Sequence, residues 1–146
     1  MIKRVFALLL LFSWATFSAF PDVLIITNPD TELSSLKKKE VKDIFTGKKT
    51  LWNGSGKIII AVLKNSDVHR EFLWQFVRKT PAQFRNYWRR KVFTGEGKLP
   101  KFFNNEAELV DFVARTKGAV GYISSPSPPD KNVKTISILD SKGGSR

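Results

Sequence analysis

The chain predicts an α/β domain: a mixed, mostly parallel sheet flanked by helices on both faces. Three observations predict it. Continuous apolar runs, VLIIT at residues 23–27 and IIIAV at residues 58–62, read as fully buried strands. Segments with apolar residues at i, i+3 and i+4 alternate with such runs. Asn-Pro, Gly and Thr-Pro separate the two kinds, so strand and helix follow one another as in layered α/β folds.

The elements follow in order. Residues 22–28 form the first strand, closed by the turn Asn28-Pro29-Asp30. Leu33 and Leu36 lead into a helix over residues 37–45, which buries Val41, Ile44 and Phe45 on one face. Leu36 and Val41 form a hydrophobic staple, while Glu40 supplies half of a capping box around Lys37. Gly47 stops this helix in the left-handed region, and Trp52 anchors the chain before the turn at residues 53–56 and the second strand. Ser66 or Asp67 caps the next helix, whose inward stripe is Phe72, Leu73, Phe76 and Val77.

Thr80-Pro81-Ala82-Gln83 is the best helix start in the chain, with Pro at the first position and Gln completing a capping box. Its helix turns Phe84, Trp88 and Val92 inward and leaves Arg85, Arg89 and Arg90 to the surface. Residues 96–104 read as an irregular basic connection. Asn105 then caps a helix with Leu109, Phe112 and Val113 on its face. GAVGYIS, residues 118–124, is a strand whose two glycines admit another backbone or a ligand at close range. Residues 125–130 are a Pro- and Ser-rich loop, and residues 133–139 a last strand at the sheet edge. The triplet FTG occurs at residues 45–47 and 93–95, too short an echo to count as a repeat.

Residues 1–19 stand apart as a secretory signal peptide. Lys3 and Arg4 precede a short apolar run over residues 5–12, and small residues follow, with cleavage expected after Ser18 or Ala19. The run is short for a membrane span. The expectation is a periplasmic protein that does not span the membrane after cleavage, with one α/β domain over residues 20–140 and a polar tail at residues 141–146. There is no cysteine, which excludes disulfides, thiol nucleophiles and a lipidated N-terminus. The formal charge is +12, or +10 once Lys3 and Arg4 are removed. Such an excess favours polyanions, which in an envelope means anionic lipids, wall polymers and inorganic anions.

Little in the chain supports catalysis. The single histidine, His69, excludes a usual metal site, and no residue set of Ser-His-Asp type or paired carboxylates is evident. No enzyme, no cofactor and no nucleic-acid partner is expected. The basic stretch at residues 78–101 carries aromatics, Phe84, Tyr87, Trp88 and Phe93, that helical spacing assigns to the core. The candidate ligand site is Lys64, Ser66, His69 and Arg70, where a helix begins beyond the C-terminal end of a strand and free N–H groups meet cationic side chains. A capped surface helix with incidental charges is the other reading of the same residues. If His69 contributes charge, anion binding should weaken between about pH 5.5 and 7.5.

Four runs carry a family resemblance: LKKKEVKDIFTGKKTLW, IIIAVLKNSDVHREF, YW followed by VFTGEGKLP, and VARTKGAVGYIS. In this order they resemble small periplasmic substrate-binding proteins related to the phosphate-binding component of phosphate ABC transporters. The resemblance covers residues 23–125 and implies a single periplasmic-binding-protein-like lobe, where the full receptors have two. It further implies binding of phosphate or a related anion and a membrane transporter or sensor as partner. Those receptors carry Arg-x-Asp-x-Ser-Gly-Thr-Thr after the second strand. Here Lys64 stands near the arginine's place, Ser66 and Asp67 remain polar, and Gly-Thr-Thr is absent. That departure leaves a second expectation open, an envelope interaction module that kept the fold and lost the ligand.

Overall fold

The computed structural model describes residues 22–53, 56–124 and 132–140. The expectations for the signal peptide, the loop at residues 125–130 and the tail lie outside them. Six strands make one sheet: β1 (Val23–Thr27), β2 (Ser35–Lys37), β3 (Ile59–Leu63), β4 (Lys101–Phe103), β5 (Ala119–Ser124) and β6 (Lys134–Leu139). Their spatial order is β2-β6-β1-β5-β3-β4. Pairing is parallel for β2 with β6, β5 with β3 and β3 with β4, and antiparallel for β1 with β5 and β6. Five strands therefore run one way and β1 alone runs against them.

Helices cover both faces. Along β5, successive side chains point to opposite sides. A Cβ on Gly121 would meet Leu109 and Val113 of α4 (Glu106–Arg115). The next residue, Tyr122, stacks instead on Phe72 of α2 (Asp67–Phe72), centroid to centroid 3.9 Å, with Phe45 of α1 (Lys38–Phe45) 5.8 Å away. The long α3 (Pro81–Phe93) packs behind α1, where Trp88 Nε1 donates to the Phe45 carbonyl at 3.1 Å and Tyr87 Oη donates to that of Thr46 at 2.6 Å.

The sequence signals for the caps are realised. Ser66 accepts the His69 N–H at 3.1 Å, Thr80 that of Gln83 at 3.2 Å, and Asn105 that of Glu108 at 2.9 Å. At α1 only the Glu40 half of the box forms, the Lys37 N–H donating to its carboxylate at 2.9 Å. Gly47 lies at φ +70 and Gly95 at φ +74. The N–H groups of Gly47 and Lys48 reach the Ile44 and Asp43 carbonyls, and those of Gly95 and Glu96 reach Val92 and Lys91. Both are Schellman caps, so the FTG echo is one helix-ending device used twice.

Four expectations change. β6 is interior, because the short β2 pairs on its outer side. Residues 101–103, taken as irregular, add a parallel edge strand to β3. The α2 helix widens into a π-helical stretch at Leu73–Val77, which ends at Arg78 in the left-handed region at φ 58. Phe93 is not core but 91% exposed.

The glycines of the GAVGYIS strand are explained by close approach. Gly118 sits at φ +82, and a Cβ there would lie 2.2 Å from the Lys57 carbonyl oxygen. Its own carbonyl accepts Trp52 Nε1–H at 3.0 Å and the Ile59 N–H at 3.0 Å. Gly118→Ala is expected to cost about 3 kcal/mol or more, through backbone strain plus overlap. Gly95→Ala, at a left-handed position with nothing within 4 Å of the new atom, should cost about 1–2 kcal/mol. Urea melts of the two variants check the ordering; equal losses would contradict it.

Candidate functional site

Where β3 ends, the chain must leave the sheet without stranding its last amide. The Leu63 N–H solves this by donating to Tyr122 Oη at 3.0 Å. Lys64 then pairs outward, its N–H donating to the Phe103 carbonyl at 2.8 Å, and α2 begins at once under the Ser66 cap. The first turn of α2 places His69 inside the protein, 4% exposed. Its Nδ1 lies 2.5 Å from Tyr122 Oη. Since that oxygen already accepts the Leu63 N–H, its own proton is free to go to His69 Nδ1, which leaves Nε2 as the imidazole N–H donor.

Burial, and secondarily the nearby charges of Arg85 and Arg70, lower the His69 pKa from 6.5 to about 4. The same burial drives the Tyr122 hydroxyl above its ordinary value, against the bond from Leu63 that lowers it. Both groups are neutral at physiological pH. The condition for a pH-dependent anion affinity, a charged His69, is therefore not met at neutral pH: the ring can offer a hydrogen bond but no cation.

Beside it lies a cleft of about 380 Å³, lined by Leu63, Lys64, Asn65, His69, Arg85 and Phe102. It stands at the C-terminal ends of the parallel β3 and β4. Arg85 reaches it because Phe84, buried one residue earlier in α3, packs edge-on to His69 with centroids 6.0 Å apart. No carboxylate lines this cleft among the described residues. The cleft thus gathers two cationic side chains, one side-chain amide and one neutral imidazole, groups of the kind that hydrogen-bond to anions.

Of the four residues singled out by sequence, Lys64 and His69 line the cleft. Ser66 sits at its edge in the chain, with its hydroxyl engaged as the helix cap. Arg70 turns outward and forms an ion pair with Asp67, both side chains being mostly exposed. Asn65, within the same stretch, also lines it, and Arg85 and Phe102 join from outside the stretch that the sequence singles out. Helical spacing had assigned Arg85 to the surface, which is correct for its exposure and silent about its neighbours. Among the described residues no group of three His, Cys, Asp or Glu could hold a metal ion, and no helix is long and apolar enough to cross a membrane.

Known proteins share this arrangement of elements. The putative phosphate ABC transporter substrate-binding protein of Clostridium perfringens, solved with bound phosphate, superposes with a TM-score of 0.62 at 20% identity, over 81% of this chain and 45% of its own. For the ABC-type phosphate transport receptor of Vibrio cholerae the values are 0.55, 20%, 82% and 47%. For PstS of Borrelia burgdorferi they are 0.62, 18%, 81% and 47%. At these identities the likeness is one of fold, and this chain spans under half the length of each receptor. No curated protein matches the chain. The family described as the PBP superfamily domain matches residues 16–145, nearly the whole sequence. By that match, and by a six-stranded, mostly parallel sheet between helices, the chain belongs to the PBP superfamily domain family.

Proposed function

We propose that the cleft at the end of β3 binds a small tetrahedral oxyanion, phosphate or a close relative, and that the protein is a binding domain, not an enzyme, of an exported phosphate uptake or sensing system. The observation that carries this reading is the cleft's charge. Lys64 and Arg85 line it, and no described acid does. Ser66 and the first N–H groups of α2 lie next to Lys64, and His69 supplies a neutral donor. Arg70 can join only by leaving Asp67. The structural neighbours are phosphate-binding receptors by description, which makes phosphate the first anion to try. Export rests on the signal-peptide pattern of residues 1–19.

Calorimetry with phosphate and sulfate tests the reading. One charge-assisted hydrogen bond contributes roughly 1.5–3 kcal/mol, so Arg85→Ala and Lys64→Ala should each weaken binding about ten- to a hundredfold. Arg70→Ala should change it little. A chain that takes up no oxyanion at millimolar concentration would sink the proposal and leave the interaction module that kept the fold. If Arg70→Ala weakens binding and Arg85→Ala does not, the anion sits on the outer face of α2 instead.

The titration of His69 gives a second check. Sulfate, which does not itself titrate in the range, should bind equally well from about pH 5.5 to 7.5, because His69 stays neutral throughout. Stability behaves differently. Unfolded His69 takes up a proton near 6.5 and the folded residue only near 4. Folding stability is therefore complete above pH 6.5 and falls as pH drops towards 4, by about 3 kcal/mol from this residue. Urea melts across that window should show the slope in the parent and a shallower one in His69→Gln. Parallel slopes would mean that His69 is not held neutral.

A further inference from the structure

The two FTG caps differ in one respect that folding does not explain. Phe45 in the first is wholly buried, whereas Phe93 in the second is 91% exposed. Phe93 follows Arg89 and Arg90 by four and three residues, which sets it on their side of α3. Two shallow grooves meet at Trp88, and Arg89 joins the first of them to the side of α3 that carries Phe93. One, of about 250 Å³, is lined by Arg89, Val92 and the half-exposed Leu99 together with Arg85 and Phe102. The other, of about 290 Å³, holds Lys91, Lys98 and the half-exposed Leu51, and its only acid among the described residues is Glu96. A face that shows large apolar side chains within a ring of cations suits a surface that is anionic outside and apolar just beneath.

We propose that this face, Phe93 and Leu99 flanked by Arg89, Arg90 and Lys98, docks on a membrane of anionic lipid. The charges draw the protein to the headgroups, and Phe93 enters the boundary between headgroup and acyl chain. A soluble polyanion would be held by the cations alone and would leave Phe93 in water, so the exposed ring selects the lipid. The face borders the anion cleft, which shares Arg85 and Phe102 with the first groove, but Lys64 and His69 take no part in it.

Sedimentation with vesicles tests this, comparing phosphatidylcholine with an equimolar mixture of phosphatidylcholine and phosphatidylglycerol. Binding to the neutral vesicles measures what apolar contact contributes without charge, from the run at residues 5–12 and from Phe93 together, and the proposal concerns the excess on the anionic ones. That excess should fall as salt rises. Arg89→Ser with Lys98→Ser should reduce it about twenty-fivefold, roughly fivefold per charge. Phe93→Ser should reduce it about tenfold. Trp74→Ser, which removes another exposed ring (64%) outside both grooves, and Lys64→Ala should leave it unchanged. No excess on anionic vesicles would overturn the proposal. So would a Phe93→Ser protein that binds like the parent, a Trp74→Ser protein that loses as much, or displacement by inorganic phosphate at constant ionic strength.

Discussion

A buried phenol must satisfy its oxygen, and here the solution fixes the geometry of everything near it. Tyr122 is fully buried in the middle of the aromatic cluster with Phe45 and Phe72. An unpaired hydroxyl there would cost about 1–3 kcal/mol. Its oxygen meets two groups, the last amide of β3 and the imidazole of the first turn of α2. One atom on β5 therefore dictates where β3 stops and how α2 starts. Lys64 lies on the connection between those two points, so its position follows from the phenol as much as from its own surroundings. The neutral state of His69 has the same origin, because the packing that places the phenol also buries most of the ring.

Glycine sets the second constraint, through the space it leaves. Gly118, just before β5, and Gly121 within it let the backbone approach Lys57, just before β3, and Leu109 on α4 more closely than any side chain would allow. Asn28 completes the join. Its side-chain amide donates to the Val113 and Ala114 carbonyls at 3.0 and 3.1 Å, closing the last turn of α4, while its Oδ1 accepts the Asp30 N–H. A turn residue by composition thus doubles as the cap of a helix 85 positions away.

What could be read in advance was what neighbours in sequence decide. Apolar runs located β1 and β3, and Ser66, Thr80, Asn105 and Gly47 marked helix ends, because capping is settled within four residues. The two edge strands escaped notice because three residues carry no measurable period. β6 was misplaced because its neighbour β2 is one of those two. Arg85 escaped for another reason: its meeting with Lys64 and His69 depends on how α3 lies in the fold, which long-range contacts decide, Phe84 on the imidazole and Trp88 and Tyr87 on the end of α1. A lone histidine likewise gives no hint of burial until the tyrosine beside it is known.

The edges of the sheet bear on how the protein behaves when crowded. A bare strand edge is a template on which another chain can pair, and long flat edges lead to aggregation. Here both outer strands, Ser35–Lys37 and Lys101–Phe103, stop after three residues. Each also carries an exposed lysine, Lys37 on one and Lys101 on the other. A second copy arriving at either rim would find few amides to engage and a like charge in its path. The sheet is thereby closed to growth at both sides without being closed into a barrel.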